Sequence, residues 1–168
     1  AASGKSSLSQ ALEKRLFEMG CRTFSLDGDN LRHGLNSDLP FSAAARKENI
    51  RRASELARLA FEQGNLVLAT FISPFLEDRL EARQRIEAGR FFEIFVDCPL
   101  EECIRRDPKG LYARALRGEI AEFTGVSSPY QRPLNPELHL PLQSLQASLE
   151  QLMRLLETRH ILRPSKPD

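Results

Sequence analysis

The chain has 168 residues, enough for one domain with a sizeable core. Hydrophobic residues make up 41% and charged residues 28%, which is typical of a soluble globular protein. The formal net charge is +1, so no overall attraction to nucleic acid or to an anionic membrane is implied. The sequence contains no run of 18 apolar residues, so it does not predict a membrane span. We therefore expect neither a nucleic acid nor a membrane as a partner.

Helical and strand patterns alternate along the chain. The spacing of apolar residues predicts helices over 4–19, 45–63, 75–88, 99–106 and 142–159, and strands over 22–26, 66–72, 91–96 and 137–142. The apolar runs LVLATFI and FFEIFV are typical of strands covered on both faces. The alternation predicts a single α/β domain over residues 1–168, with a parallel sheet and helices on both of its faces.

The opening AASGKSS matches the end of a phosphate-binding loop, G-x-x-x-x-G-K-[ST]. Backbone N–H groups at the start of a helix point at an anion, and the helix dipole favours negative charge there. An ATP site would use Ser3, Gly4, Lys5, Ser6 and Ser7, with Lys5 on the phosphates and the Ser6 hydroxyl on Mg²⁺. The alternative is a chance occurrence on a helix surface.

A phosphate loop joins a strand to a helix, and here the helix comes first. In doubly wound nucleotide-binding folds the strand before the loop lies inside the sheet. We therefore expect the first strand and the start of the loop to lie upstream of residue 1, since a sheet without them would leave two rows of backbone groups unpaired.

Two carboxylates follow the first strand, in LDGDN. Asp27 and Asp29 flank a glycine at the carboxyl end of a strand, where open α/β sheets bind ligands. Alternation along an extended chain could point both side chains the same way, which would suit a hydrated Mg²⁺ and a hydroxyl nucleophile. The alternative is a polar turn capped by an aspartate.

Three further stretches suggest a substrate site. Arg32 and Arg46 could clamp an anionic substrate, although charges on a helix are usually only solvated. Ser73 follows the strand 66–72 and could contact substrate or cap the next helix. Residues 105–133 are polar, basic and rich in Gly and Pro. They show too little apolar periodicity to be core, and they predict a lid over about 106–133 or an ordinary long loop.

Together these stretches resemble the adenylylsulfate kinase family, whose members use ATP to phosphorylate adenosine 5′-phosphosulfate (APS) on its 3′-hydroxyl. The resemblance lies in GKSS, LDGDNLRHGLN, RKENIRR, FISPF, DPKGLY and GEIAEFTGVSSPYQRP, in the family's order, and it covers most of residues 3–138. It implies a phosphate-loop kinase fold, ATP and Mg²⁺ as cofactors, and a role in sulfate assimilation in the cytoplasm.

The resemblance also implies roles for individual residues. Lys5 and Ser6 would hold the ATP phosphates and Mg²⁺, with Asp27 assisting the metal, and Asp29 would orient or deprotonate the 3′-hydroxyl. Bacterial members are described with a phosphoserine at the Ser73 position, but we expect direct transfer, which needs only positioning and charge neutralisation. The resemblance places these residues around APS: Asp29, Asn30, Arg32, Phe41, Arg46, Asn49, Ile72, Ser73, Lys109 and Phe123, with Phe41 and Phe123 stacking on its adenine.

Three positions depart from the family pattern. Ser127 stands where the family has Asp, Gln131 where it has Glu, and Pro40 where it has Gly. Because they lie in the lid or beside Phe41, we expect an effect on lid ordering or substrate affinity.

Two other functions fit the sequence. One is another small-molecule kinase of the same fold. The second is a non-catalytic domain that binds APS or its 3′-phosphorylated product (PAPS) and regulates a fused sulfate adenylyltransferase. An active kinase could also be part of a bifunctional protein. By resemblance alone we expect a homodimer.

Overall fold

The computed structural model describes residues 2–162. Their helices and strands follow one another in this order: α1 (Lys5–Glu18), β1 (Thr23–Asp27), α2 (Gly28–His33), α3 (Ala43–Glu62), β2 (Leu66–Thr70), α4 (Leu76–Gln84), β3 (Ile94–Val96), α5 (Leu100–Arg106), α6 (Leu111–Leu116), β4 (Leu138–Leu140) and α7 (Leu145–Thr158). The predicted alternation of strands and helices is confirmed, although α4 and β3 are shorter than predicted.

The four strands form two parallel pairs. Strand β1 pairs with β2 from Thr23↔Leu66 to Asp27↔Thr70, and β3 pairs with β4. The predicted parallel arrangement is therefore confirmed, but within residues 2–162 the strands form two sheets instead of one.

One leucine-rich core joins both sheets. Helix α1 contributes Leu8, Leu12 and Leu16 at a spacing of four residues, which places them on one helical stripe. They pack with Leu68 of β2 and Leu140 of β4, and with Leu152 and Leu156 of α7. By strand alternation the residues beside Leu68 point to the opposite face, and α3 packs against β1 and β2. The core fixes the start of α1 near the carboxyl ends of the strands.

The lid has a small core of its own. Cys103 of α5, Tyr112 and Ala115 of α6, and Phe123 are all buried together. The prediction that residues 105–133 contain no core was wrong, because a six-residue helix is too short to show a periodic pattern. The helix α6 is instead set locally, by the Asp107 carboxylate, which accepts the N–H groups of Tyr112 and Ala113.

Within the described range, no helix has the length and apolar character needed to cross a membrane.

Asp78 is a buried carboxylate near the start of α4. Its side chain is 4% exposed, and Oδ2 has no hydrogen-bond partner among residues 2–162. Burial raises the pKa of Asp78 above its ordinary value, against an opposing effect of Lys47. The folded state therefore binds the proton more tightly than the unfolded chain, and its stability falls as the pH rises through the folded-state pKa.

We expect Asp78→Asn to resist urea better than the wild type at pH 7, because it removes the cost of burying a charge. The difference should shrink as the pH falls toward the unfolded pKa of about 4. Asp38→Asn is the matched control, since Arg52 bonds to the exposed Asp38 and lowers its pKa. That variant should lose stability mainly above the unfolded pKa, so parallel pH profiles for the two variants would contradict the account of Asp78.

Candidate active site

The start of α1 has free N–H groups and a lysine that can bind an anion. Gly4 precedes the helix with φ 92°, a left-handed conformation that favours glycine, and no side chain caps the first N–H groups. Lys5 Nζ donates to Ser3 Oγ at 3.0 Å, which holds the ammonium group beside those N–H groups. Burial lowers the pKa of Lys5 from its ordinary value.

Asp27 joins three elements at this edge. Its Oδ2 accepts hydrogen bonds from Ser6 Oγ of α1 at 2.9 Å and from Thr70 Oγ1 of β2 at 2.8 Å. Its Oδ1 accepts the backbone N–H groups of Asp29 at 2.9 Å and Asn30 at 3.3 Å, and so caps α2. Partial burial alone would raise the pKa of Asp27, but the hydrogen bonds from Thr70, Ser6 and the backbone hold it below its ordinary value.

Of the two interpretations of LDGDN, the structure has the alternative, a turn capped by an aspartate, and not the extended segment. Asp27 ends β1, and the chain enters α2 at Gly28, so the two carboxylates do not alternate along a strand. The reason is the cap itself, because the Asp27 side chain offers the backbone an acceptor two residues on. Both carboxylates still lie at the predicted edge of the sheet.

Lys109 reaches from the lid to Asp29. Its Nζ lies 2.5 Å from Asp29 Oδ2, and both side chains are more than half exposed. The hydrogen bond with Asp29 raises the pKa of Lys109, which keeps the amine charged at neutral pH. The lid therefore brings a positive charge to the carboxylate edge.

A cavity of about 380 Å³ connects these groups. Its lining includes Ser6, Asp27, Asp29, Thr70 and Lys109. Sequence reasoning missed Thr70, although the register of the parallel strands pairs it directly with Asp27. The first turn of α1, a hydrogen-bonded carboxylate and a second, exposed carboxylate thus share one polar cavity.

The model of one protein family, Adenylylsulphate kinase, matches residues 1–141. The chain belongs to this family. The family assignment and the phosphate-loop kinase fold predicted from sequence are both confirmed.

Relatives of two kinds are similar to the chain. The bifunctional enzyme NodQ of Rhizobium sp. (strain N33) is 52% identical over 168 residues, which are 99% of this chain and 26% of that protein. The chain thus spans about a quarter of the length of this bifunctional relative. The adenylyl-sulfate kinase of Staphylococcus epidermidis is 51% identical over 157 residues, covering 92% of this chain and 79% of that enzyme.

Among solved structures, the Mycobacterium tuberculosis APS kinase CysC in complex with AMPPNP and APS superposes with a TM-score of 0.89. The two chains are 52% identical, and the match covers 94% of this chain and 92% of that one.

In this adenylylsulphate kinase family member, the two arginines predicted to bind anions lie close together. Arg32 Nη1 donates to the carbonyl oxygens of Leu39 at 2.9 Å and Pro40 at 3.0 Å, and its guanidinium lies 4.3 Å from the centre of the Phe41 ring. Burial lowers the pKa of Arg32, and the neighbouring charge of Arg46 lowers it further. The structure therefore places a partly buried cationic pair beside Phe41.

Arg46 ties α3 to the lid. Its guanidinium donates to the Phe41 carbonyl at 2.8 Å, to Thr124 Oγ1 at 2.7 Å and to the Glu122 carbonyl. The predicted bidentate clamp on a substrate thus has its donors on neutral protein oxygens in this structure.

The two predicted stacking rings differ in exposure. Phe41 is 55% exposed, whereas Phe123 is 9% exposed and packs edge-on against Tyr112, with ring centres 5.0 Å apart. Stacking of both rings on an adenine stays a prediction.

The other predicted APS contacts differ in their exposure. Asn30 and Ile72 are exposed, and Ser73 is half-buried. Asn49 is buried and its Oδ1 accepts from Asn36 Nδ2 at 3.0 Å. Their contacts with APS also stay predictions.

The three departures from the family pattern all supply hydrogen-bond acceptors. Ser127 Oγ accepts the Phe123 N–H at 2.9 Å, and Gln131 Oε1 accepts the Leu76 N–H at 2.7 Å. The Pro40 carbonyl accepts from Arg32. The uncharged side chains at 127 and 131 are therefore sufficient to accept the hydrogen bonds that hold these two turns.

We expect Thr70→Val to raise the pKa of Asp27, because it removes a hydrogen bond that stabilises the ionised carboxylate. An NMR titration of the Asp27 carboxyl carbon measures the shift. Ser25→Ala is the control, since Ser25 Oγ donates to Glu13 at 2.6 Å and not to Asp27. Identical Asp27 titrations in the two variants would contradict this role of Thr70.

Proposed function

We propose that this chain transfers the γ-phosphoryl group of ATP to the 3′-hydroxyl of APS, giving ADP and PAPS. The observation that carries the proposal is the double role of Asp27, which bonds to Ser6 at the phosphate-binding helix and caps the helix that presents Asp29. Phosphate-binding and hydroxyl-activating groups are thereby held in one cavity. In the reaction, the 3′-oxygen bonds to the γ-phosphorus and the bond to the β,γ-bridging oxygen breaks.

The donor side of the site is the start of α1. Its uncapped N–H groups and the Lys5 ammonium bind the ATP phosphates, because both present positive charge to the same point. Gly4 allows the backbone to turn toward those phosphates.

Ser6 and Asp27 fit a magnesium ion. Their side-chain oxygens lie 2.9 Å apart, and both are hard oxygen donors. Mg²⁺ typically binds through one or two protein oxygens together with phosphate and water. When bound it would neutralise charge on the phosphates, and Asp27 stays ionised for it because its pKa is lowered.

On the acceptor side, Asp29 receives the proton of the 3′-hydroxyl as the hydroxyl attacks. An exposed carboxylate can reach a substrate, and Asp29 is 64% exposed. Lys109, which contacts it from the lid, is placed to face the charge of the transferred phosphoryl group. Arg32 and Arg46 hold the phosphosulfate, and Phe41 holds the adenine.

The relatives support both a free and a fused arrangement. The chain spans 79% of the Staphylococcus epidermidis kinase but 26% of a bifunctional NodQ. The proposal therefore concerns the reaction of this domain. A fused partner, a homodimer and a cytoplasmic location stay predictions, and so does direct transfer without a phosphoserine at Ser73.

The deciding experiment mixes the full protein with ATP, Mg²⁺ and APS and follows ADP and PAPS together. PAPS formed one-for-one with ADP supports the proposal. Binding of APS or PAPS without turnover would instead favour the regulatory domain, and turnover of another acceptor alone would favour a different kinase.

We expect Asp29→Ala to lower kcat by about 10²–10⁴-fold, the usual contribution of a general base. The Kd for APS should change little, because Asp29 acts on the reacting hydroxyl. Asp38→Ala is the control, since Asp38 is exposed and pairs with Arg52. A kcat close to that of Asp38→Ala would exclude Asp29 as the base.

We expect Phe41→Ala to weaken APS binding by about 1–3 kcal/mol, the contribution of a base-aromatic stack. Calorimetry of APS binding measures it. Phe17→Ala removes another exposed ring, 77% exposed at the end of α1, and should leave the Kd for APS unchanged. Equal affinities in the two variants would show that Phe41 does not stack on the base.

A further inference from the structure

The turn after β2 has an unusual backbone. Ser73 has φ 42°, in the left-handed region that residues other than glycine seldom adopt. Such a conformation persists only where surrounding contacts determine it. The turn lies at the carboxyl edge of β2, beside Ile72, which is also predicted to contact APS.

Arg79 of α4 supplies the contact that holds this turn. Its side chain is 10% exposed, and its Nε lies 2.7 Å from Glu93 Oε1. Nη1 donates to the carbonyl of Ser73 at 2.5 Å, and Nη2 donates to the carbonyl of Gln131 at 2.7 Å. One planar guanidinium thus bonds to two backbone segments that are far apart in sequence, a geometry that a lysine cannot reproduce.

Gln131 joins the same two segments through two further hydrogen bonds. Its N–H donates to the Pro74 carbonyl at 2.8 Å, and its side-chain Oε1 accepts the Leu76 N–H at 2.7 Å. Gln131 lies near the end of the lid, so the end of the lid is fixed to the turn that carries Ser73.

We infer that Arg79 is a positioning residue for the acceptor substrate. Arg79 is not itself a predicted substrate contact, but it bonds to the backbone of Ser73 and to the end of the lid that carries Lys109 and Phe123. The inference rests on the proposed function, because these residues are assigned to APS. Loss of Arg79 then loosens the turn that carries Ser73 and the end of the lid, while the start of α1, which is proposed to bind phosphate, stays in place.

The matched control is Arg83, one turn further along α4. Arg83 also pairs with a carboxylate, Glu137, through Nη1 at 2.7 Å and Nη2 at 2.8 Å. Within residues 2–162 its other polar contacts are with the Phe91 carbonyl and Glu93, and not with the Ser73 turn or Gln131. A change at Arg83 therefore removes a comparable ion pair without the proposed positioning.

We expect Arg79→Gln to raise KM for APS by about 10-fold or more, since small misplacements at a distance strongly affect reaction geometry. KM for ATP should stay close to that of Arg83→Gln. Arg79→Lys should not restore KM for APS, because it keeps the charge facing Glu93 but cannot bond both carbonyls at once. Equal KM values for APS in the Arg79→Gln and Arg83→Gln variants, or full rescue by Arg79→Lys, would overturn the inference.

A second variant tests the inference independently if Arg79→Gln folds poorly. Gln131→Ala removes only the exposed side chain that accepts the Leu76 N–H, and it should raise KM for APS in the same direction by a smaller factor. An unchanged KM for APS in Gln131→Ala would contradict the proposed role of the bonds between the Ser73 turn and the end of the lid.

Calorimetry of APS binding separates the inference from the proposed function. If the wild type binds APS without turnover, the proposed reaction fails, and weaker APS binding by Arg79→Gln than by Arg83→Gln still supports positioning. If the wild type does not bind APS, both fail.

Discussion

The ionised carboxylate of Asp27 is the interaction on which the site depends. It accepts hydrogen bonds from Ser6 of α1, Thr70 of β2 and two N–H groups of α2. A neutral carboxyl would lose acceptor strength toward all of them, and partial burial favours that neutral form. The four donors outweigh burial, so the pKa is lowered and the charge persists. One charged group thereby sets the distance between the start of α1 and Asp29.

The lid is held to this frame by contacts of a different kind. Its own core, around Tyr112 and Phe123, is separate from the leucine-rich core under the sheets. Apart from packing around Ala2, it meets the site through polar contacts such as the exposed Lys109–Asp29 pair. Exposed pairs contribute little free energy, because water and salt screen them. The hydrogen bonds from Arg46 to residues 122 and 124 and from Arg79 to the Gln131 carbonyl are less exposed, so they hold the lid more firmly than the Lys109–Asp29 pair does.

Sequence alone predicted what repeats or forms a motif. Helices α1, α3 and α7 carry long apolar stripes, and GKSS and LDGDN lie at the start of α1 and at the end of β1, as predicted. Helix α2 was missed because a side-chain cap, not periodicity, starts it. Thr70 needed the strand register to be found. Arg79 could not be found at all, because its partners Ser73 and Gln131 are brought together only by the fold.

Two arginines of the site are fixed by hydrogen bonds and still keep their positive charge available for an anion. Arg32 and Arg46 donate to backbone carbonyls and a threonine hydroxyl, which fix the guanidinium groups but do not cancel their charge. Arg52 shows the opposite case, since Asp38 and Glu48 both neutralise it. Arg46 lowers the pKa of Arg32 while the nearby charge of Asp29 opposes that effect, so the two guanidinium groups repel one another and a bound anion would relieve the repulsion. This electrostatic argument supports the proposal that Arg32 and Arg46 hold the phosphosulfate of APS, which carries two negative charges.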